Sequence, residues 1–579
     1  MKRILWIAAV VFSLQAQSQV FNYEELNDGR PKPESTEWKK VIAGTRLEWG
    51  NTDMRYDKYA LPSPNKKNGK TLRLHAWRGE SVNAQAVIYT GKALTNTTVS
   101  TSPLKAGKNE ISTESLHTAF VRYVLTDEFG YGCGARPDAT KYDSSLVAEV
   151  FSPNPTLDIE ACTTRPIWLR IQVPQDAAPG TYKGSITVQA DGLKPQRLNY
   201  ELEVTNRTLP APSEWKFHLD LWQNPYSVAH TFGVPLWSEE HFNCMRPIMQ
   251  RLAAAGQKVI TTTLMTHPWN GQTEIPFKSM IAHIRNIDGS WMFDYSVFDR
   301  WVEFMMSLGI NQQINCYTVV PWALTFDYFD RATNSVKYIH AKPGDAEYEA
   351  YWLPFLKDFA RHLKDKGWFE RTAIALDERA LPQMREAFRV VFKADPNFKI
   401  SGAAHYYAEI EPMMYDLCLA YGEKLPDDVL KRRQQEGKIT TTYTCCTEPF
   451  PNMFTFSPPA EASWLPWHTV AEGFNGYLRW AYNSWSHKVL QDTRFRAFPA
   501  GDCYMVYPSG SGIRMERLIE GIQDVEKVRI LREEFAREGE TEKLQKLNSI
   551  VVRFVPANMN GTNAADMVNL ARKELRALQ

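Results

Sequence analysis

The chain has 579 residues and a formal net charge of +1, so its charge balance gives no basis for binding nucleic acid or an anionic membrane surface. Its length allows two or three domains around large buried cores. Aromatic residues make up 12% of the sequence. Because exposed rings stack on sugar faces, this content mildly favours a protein that handles carbohydrate.

Residues 1–18 have the pattern of a secretory signal peptide. A basic start precedes an apolar run over residues 4–14, and the small residues Ala16 and Ser18 mark a cleavage site. The apolar run is too short to span a bilayer. We therefore expect an exported chain, periplasmic or secreted, without membrane insertion.

Residues 19–210 form the first predicted domain, and its segments have the texture of β-strands. They are rich in β-branched and aromatic residues and are separated by turn groups such as "APG" and "ADGLKP". The strand-like segments are "KTLRLHAW", "SVNAQAVIYT", "RPIWLRIQV", "GTYKGSITVQA" and "RLNYELEVT". Their spacing predicts an antiparallel β-sandwich.

Residues 211–510 alternate between helix and strand patterns. An amphipathic helix, a glycine and a short strand recur in that order, with the glycines at Gly256, Gly309, Gly367 and Gly437. Eight such strands predict a (β/α)8 barrel, and a doubly wound open sheet is the alternative. No G-x-G-x-x-G or phosphate loop follows the first strand, which argues against a nucleotide. Residues 511–579 are predicted to be a C-terminal helical segment that braces the barrel.

Chemistry in such a barrel lies at the carboxyl ends of the strands, and Asp377 and Glu378 follow the fourth one, in "TAIALDERA". We predict that these two acids are catalytic. Other polar and aromatic residues, among them Trp269 and Tyr406, are predicted at the corresponding ends of the other strands. The predicted substrate contacts are Asp220, Trp222, His267, Tyr317, Trp322, His405, Tyr443, Trp480, Asn483 and Trp485.

Two adjacent acids in a strand approach a cleft from different directions. One carboxyl group can protonate a leaving oxygen while the other holds a group on the sugar itself. This division resembles glycosidases in which the 2-acetamido carbonyl of the substrate is the nucleophile, an exception to the two-carboxylate scheme. The Asp would then orient the amide, and the Glu would act as acid and then as base.

Three motifs stand out in the second half of the chain: the Asp377–Glu378 pair, "GFNGYLRWAYNSW" at 473–485 and "GDCYMVYPSGSGIRMERLIEGIQDVEKVRIL" at 501–531. They are similar to motifs of glycoside hydrolase family 123, the exported β-N-acetylgalactosaminidases. The stretches "AWRGESVNAQAVIY" and "IWLRIQVPQDAAPGTYKGSITV" are similar to the β-sandwich of that family. The resemblance implies that Asp377 orients the acetamido group, that Glu378 is the acid/base, and that the substrate is a glycan or glycolipid sugar ending in β-linked N-acetylgalactosamine. Many relatives follow the acid pair with proline, whereas Arg379 follows it here.

Two other functions fit the residues. One is a retaining glycosidase with two protein carboxylates, in which Glu378 is the acid/base and Glu448 the nucleophile. The other is a glycan-binding protein without activity. The eight cysteines show no zinc-type spacing, so we predict no metal and no other cofactor. Cys133 and Cys162 are one candidate disulfide.

Overall fold

The computed structural model describes residues 24–30, 38, 44–63, 71–128, 133, 144–495 and 498–579. The chain divides into two compact units. The first consists of Met1–Trp215, Cys446–His468 and Ser486–Gln579, and the second of Lys216–Cys445 and Thr469–Trp485. The predicted signal peptide, residues 1–18, lies outside the described residues. Within the described residues, no helix combines the length and the apolar character that crossing a bilayer requires.

Strands and helices are numbered in chain order over the described residues. The strands are β1 (Thr45–Trp49), β2 (Thr71–Arg78), β3 (Ser81–Thr90), β4 (Leu94–Thr101), β5 (Leu104–Ala106), β6 (Asn109–Ile111), β7 (Leu116–Thr126), β8 (Ser145–Phe151), β9 (Thr156–Ile159), β10 (Thr163–Gln172), β11 (Gly180–Ala190), β12 (Leu193–Thr208), β13 (His218–Leu221), β14 (Val259–Thr263), β15 (Ala282–Arg285), β16 (Trp291–Asp294), β17 (Gln313–Tyr317), β18 (Thr325–Asp330), β19 (Ser335–His340), β20 (Thr372–Leu376), β21 (Lys399–Ala403), β22 (Asp416–Ala420), β23 (Ile439–Tyr443) and β24 (Gly476–Arg479). The helices are α1 (Pro225–Phe232), α2 (Glu239–Ala254), α3 (Ser296–Ser307), α4 (Ala346–Asp365), α5 (Leu381–Ala394), α6 (Asp427–Gln435), α7 (Pro459–Ala471), α8 (Ile513–Glu538), α9 (Thr541–Val551) and α10 (Ala564–Ala577).

The first unit contains two packed sheets. One has the strand order β1-β3-β10-β7-β8, and the other has the order β2-β12-β11-β4-β9 with β5 and β6 beside β11. The described strand pairs are antiparallel except for β12 with β2. Ile88 and Ile167 of the first sheet share one buried apolar cluster with Ile186 and Leu202 of the second. This arrangement is the predicted β-sandwich.

Helix α8 belongs to the first unit and contacts its sandwich strands through buried polar groups. The Gln523 side chain accepts a hydrogen bond from the Ser81 N–H at 2.8 Å. The Lys527 ammonium pairs with Glu80, and both side chains are buried. The first unit therefore includes C-terminal residues as well as the N-terminal strands. The predicted domain limits near residues 211 and 511 stay predictions.

A disulfide joins Cys133 and Cys446, whose Cα atoms are 4.9 Å apart across 313 residues of sequence. Cys162 carries a free thiol. The expected pairing of Cys133 with Cys162 is therefore wrong. Proximity in the folded chain selects the partner, and that proximity is not visible in the spacing of cysteines.

The second unit is an almost closed barrel of eight parallel strands, in the order β13-β24-β23-β22-β21-β20-β17-β14. The gap between β13 and β14 is bridged by the Lys258 N–H, which donates to the Leu219 carbonyl at 3.0 Å. Gly367, with φ of 71°, turns the chain from α4 towards β20, as the recurring glycine pattern predicted. The predicted barrel is confirmed, and the doubly wound alternative is wrong.

The sequence reasoning missed a small four-stranded sheet in the loops of the barrel. Its order is β16-β15-β18-β19, so it is built from the segments that follow β14 and β17. Strand β18 begins at Thr325, three residues after Trp322. This small sheet therefore follows directly on a residue of the candidate site.

Candidate active site

The strand β20 delivers the two predicted acids to the carboxyl end of the barrel. All five of its residues are buried, because the strand pairs with β17 on one side and β21 on the other. Asp377, directly after it, is half-buried, and Glu378 is exposed. The run of small and apolar residues thus ends where the chain reaches the mouth of the barrel.

Two N–H groups hold the Asp377 carboxylate. The Trp322 indole Nε1 donates to Oδ2 at 2.7 Å, and the Glu378 backbone N–H donates to Oδ1 at 2.9 Å. Each carboxylate oxygen accepts more than one hydrogen bond, so both retain capacity for a ligand. Burial raises the pKa of Asp377 and the adjacent Glu378 charge adds to the rise, whereas the Trp322 hydrogen bond opposes it.

A different residue holds Glu378. The phenol of Tyr443, at the end of β23, donates a hydrogen bond to Glu378 Oε1. Burial raises the pKa of Tyr443, and the negative charge of Glu378 raises it further, so the phenol stays a neutral donor. The two acids are therefore held by different side chains, Trp322 from the segment between β17 and β18 and Tyr443 from the end of β23.

Arg379 completes this group of residues. Its guanidinium carbon lies 3.7 Å from the centre of the Trp322 ring, and its Nε donates to the Glu378 carbonyl at 3.0 Å. No ion pair of Arg379 occurs among the described residues. Sequence reasoning noted Arg379 without assigning it a role, because stacking on a residue 57 positions away is a property of the fold.

Trp322 is the predicted ring with an open surface, since 42% of it is exposed. The rings of Trp222 and Tyr317 are buried, and they pack on each other with centroids 4.4 Å apart. Trp269 completes that cluster, 5.1 Å from each of the other two rings. These three rings are buried against one another and expose no face for stacking on a sugar.

Asp220 lies in the barrel interior and not at an open surface. Its side chain is buried, and Asn315 Nδ2 is 3.4 Å from its Oδ2. Burial raises the pKa of Asp220 well above its usual value, and the charge of Asp416 adds to the effect. Asp220 is therefore a buried residue of the barrel core.

The remaining predicted contacts differ in exposure, from exposed to fully buried. His267 and His405 are exposed, and His405 Nδ1 lies 3.1 Å from a carboxylate oxygen of Glu423. Trp480 is half-buried. Asn483 and Trp485 are buried, and Asn483 exchanges two hydrogen bonds of 2.9 Å with the backbone of Asn224, the residue before α1. Asn483 therefore orders the β13–α1 turn.

Glu448, the alternative nucleophile, lies beyond the end of β23 and belongs to the first unit. Thr447 donates a hydrogen bond to its carboxylate. Among the described residues, the one group of three metal-ligating side chains within reach of a single ion is Cys133, Cys445 and Cys446, and two of these are the disulfide partners Cys133 and Cys446. No carboxylate or histidine group in the described residues has metal-site geometry.

The structure thus places two adjacent acids at the carboxyl end of a barrel strand, where barrel enzymes carry their chemistry, and paired carboxylates are the groups that hydrolyse glycosidic bonds. The sequence model of the glycoside hydrolase 123 catalytic domain matches residues 222–531. The model of the glycoside hydrolase 123 N-terminal domain matches residues 49–190. The chain belongs to glycoside hydrolase family 123.

A solved structure agrees with this assignment. The fold is similar to a family 123 glycoside hydrolase from Clostridium perfringens, studied for its hydrolysis of glycolipid glycans, with a TM-score of 0.82 and 25% identity. That match covers 92% of this chain and 98% of the other. A GH5 xyloglucanase from Bacteroides ovatus, in complex with a heptasaccharide, matches at a TM-score of 0.28 and 10% identity over 82% of this chain and all of its own, which is too weak to carry an argument. Comparison with curated proteins gave no match.

Proposed function

We propose that this chain releases β-linked N-acetylgalactosamine from glycans by a retaining, substrate-assisted mechanism. One observation carries the proposal: the adjacent carboxylates of Asp377 and Glu378 are held by different donors, Trp322 and Tyr443. Such a pair can serve two tasks on one sugar. The similarity to a family 123 enzyme studied for glycolipid glycan hydrolysis supports the choice of substrate class.

Asp377 is proposed to orient the 2-acetamido group. Its two oxygens each accept one N–H in the structure, which leaves lone pairs to receive the N–H of the acetamido group. An ionised Asp377 then stabilises the positive charge that develops on that group as its carbonyl oxygen attacks the anomeric carbon. The Trp322 hydrogen bond favours the ionised form, which opposes the effect of burial.

Glu378 is proposed to act as acid and then as base. Its proton passes to the glycosidic oxygen as the bond to the anomeric carbon breaks and the cyclic oxazolinium forms. The resulting carboxylate then takes a proton from water, whose oxygen attacks the anomeric carbon and reopens the ring. Two inversions at one carbon retain the β configuration. Tyr443 fixes the orientation of Glu378 for both steps.

The proposed substrate is a β-GalNAc-terminated glycan or glycolipid sugar outside the cytoplasm. The signal pattern of residues 1–18 supports export to the periplasm or the medium. Neither nucleic acid nor a cofactor has a part in this proposal. Domain limits of 19–210, 211–510 and 511–579 are proposed for the mature chain.

The proposal is tested with purified protein on 4-nitrophenyl β-GalNAc, β-GlcNAc and β-galactoside. We expect turnover of 2-acetamido substrates, with β-GalNAc preferred, and competitive inhibition by a GalNAc-thiazoline. Comparable turnover of the plain β-galactoside, or a covalent sugar trapped on Glu448, would replace the proposal with the two-carboxylate mechanism. Binding of GalNAc with no turnover of any of the three glycosides would indicate a glycan-binding protein.

A further inference from the structure

The mouth of the barrel holds a cation, Arg379, whose pKa is lowered by burial and raised by the nearby charges of Asp377 and Glu378, but whose guanidinium makes no ion-pair contact with a carboxylate in the described part of the chain. Arg379 is half-buried and stacks on the Trp322 ring at 3.7 Å. Among the described residues it has no ion-pair partner, although Asp377 and Glu378 precede it directly. Burial lowers the pKa of Arg379, as expected for a guanidinium that has lost part of its hydration.

The way Arg379 is held leaves most of its hydrogen-bonding capacity unused. A guanidinium has five N–H donors in its plane, and stacking on a ring occupies its face and not its edge. One donor, on Nε, is used by the Glu378 carbonyl, so four remain on the two terminal nitrogens. This edge is the fork that binds an oxyanion through two parallel hydrogen bonds.

We propose that Arg379 binds an oxyanion carried by the glycan, either a sulfate ester or a carboxylate, beside the sugar that is cleaved. The inference rests on the proposed function of this site, since the glycan is taken to present its 2-acetamido group to Asp377. Trp322 and the Glu378 carbonyl hold the fork before the ligand arrives, so little conformational freedom is lost on binding. The ligand charge also offsets the partial desolvation of the guanidinium.

A simpler role for Arg379 is to balance the charge of the two acids. The Arg379 charge does oppose the rise that burial causes in the pKa of Asp377, but the hydrogen bonds to the two carboxylates come from other groups. Asp377 is bonded by Trp322 and by the Glu378 N–H, and Glu378 is bonded by Tyr443. Neither carboxylate lies within ion-pair distance of the Arg379 guanidinium among the contacts of the described residues. The fork is thus left available to a group outside the protein.

The test compares anionic and neutral forms of the same substrates. The probes are 4-nitrophenyl β-GalNAc, its 4-O-sulfo and 6-O-sulfo forms, and a disaccharide of GalNAc linked to glucuronic acid. The variants are Arg379→Met, which removes the charge but can still cover Trp322, and Arg379→Lys, which keeps the charge without the planar fork. Arg385→Met is the matched control, because Arg385 is an exposed cation on α5 whose contact is Glu409 at 3.5 Å.

For at least one anionic probe, Arg379→Met should lower the ratio of anionic to neutral kcat/KM by roughly 10- to 100-fold, the effect of losing hydrogen bonds to a charged group. Arg379→Lys should recover part of that loss, and Arg385→Met should leave the ratio within twofold. The preference of the unaltered enzyme should weaken as salt rises. The sulfated monosaccharides and the uronate disaccharide separate the two sources of the oxyanion.

Equal losses on neutral and anionic probes, or a change in Arg385→Met as large as in Arg379→Met, would overturn the proposal. If the enzyme cleaves no 2-acetamido glycoside, the proposed function fails by itself. In that case, calorimetry measures the binding of GalNAc and its 4- and 6-sulfates to the unaltered chain and to Arg379→Met, which tests the role of Arg379 without turnover. Selective loss of sulfate binding supports the role of Arg379, and unchanged selectivity refutes it.

Discussion

The hydrogen bond from the Trp322 indole N–H influences the ionisation of Asp377, and a single substitution can remove it. Trp322→Phe keeps an aromatic ring but removes the donor that lies 2.7 Å from Asp377 Oδ2. The pKa of Asp377 is already raised by burial, and this hydrogen bond is among the interactions that lower it. Without the donor, the carboxylate is less stable and the pKa of Asp377 should rise further.

The size of this rise follows from the strength of the lost hydrogen bond. A hydrogen bond to a charged group contributes about 1.5–3 kcal/mol, and one pKa unit corresponds to about 1.4 kcal/mol, so the limits are roughly 1 and 2 pKa units. Because 42% of Trp322 is exposed, water can replace part of the lost contact. We therefore expect the pKa to rise by about 1, near the lower limit.

The assay is the pH dependence of kcat/KM on 4-nitrophenyl β-GalNAc, which reports groups in the free enzyme. Asp377 is proposed to act ionised, so a raised pKa moves the acid limb of the profile to higher pH. At a fixed pH on that limb, kcat/KM should fall about tenfold when the pKa rises by about 1, and on the plateau it should fall much less. Trp291→Phe, the same change in the small sheet, is the control. An unmoved acid limb with a uniform fall at every pH would refute the reasoning.

Three further predictions concern the acids, the stability and the cofactor requirement. Glu378→Gln should lose far more activity on a natural glycan than on an activated aryl glycoside, because a proton transfer is worth roughly 10²–10⁴-fold only where the leaving group needs it. Asp377→Asn should lose activity on both substrates. Equal losses in both variants on both substrates would contradict this division of roles. Burial raises the pKa of Glu461 from 4.5 to about 8, while its carboxylate accepts the Asn452 N–H at 2.7 Å. The protonated Glu461 carboxyl therefore gives its full stabilisation below pH 4.5, and this stabilisation is lost as pH rises through about 8. The unfolding free energy, measured with denaturant, should fall with pH by up to about 5 kcal/mol more in the unaltered chain than in Glu461→Gln. Parallel pH curves of the two proteins would show that this carboxyl titrates normally. Exhaustive chelation should leave kcat unchanged, and activity lost to a chelator and restored by zinc or calcium would show that a metal is needed.

The sequence predicts the scaffold of the site better than its surface. The strand before Asp377 is predictable because its short apolar run fits a buried strand of the barrel wall. The two acids that follow this run are conspicuous in the sequence for the same reason. Trp222 directly follows β13 and is equally predictable from the sequence, but its burial depends on neighbours from distant segments. A residue at a strand end can face the cleft or the wall, and sequence spacing does not separate the two.

Two other features lie beyond sequence reasoning for physical reasons. The small sheet of β15, β16, β18 and β19 consists of strands of four to six residues, too short to show a clear alternation. The disulfide joins residues 313 positions apart, and only the fold brings them together. Stacking of Arg379 on Trp322 belongs to the same group, since neither residue carries a local signal for the other.

The first unit is assembled from the two ends of the chain, and this has a consequence for the order of events during synthesis. Glu80, buried in the sandwich, pairs with Lys527, 447 residues later. At about 5–20 residues per second on the ribosome, roughly 20–90 seconds separate the appearance of the acid from that of its counter-charge. The N-terminal strands are synthesised long before α8, the helix whose Lys527 pairs with Glu80. A nascent chain therefore keeps Glu80 without its counter-charge until α8 has been translated, so the first unit completes its folding only when the last part of the chain has been made.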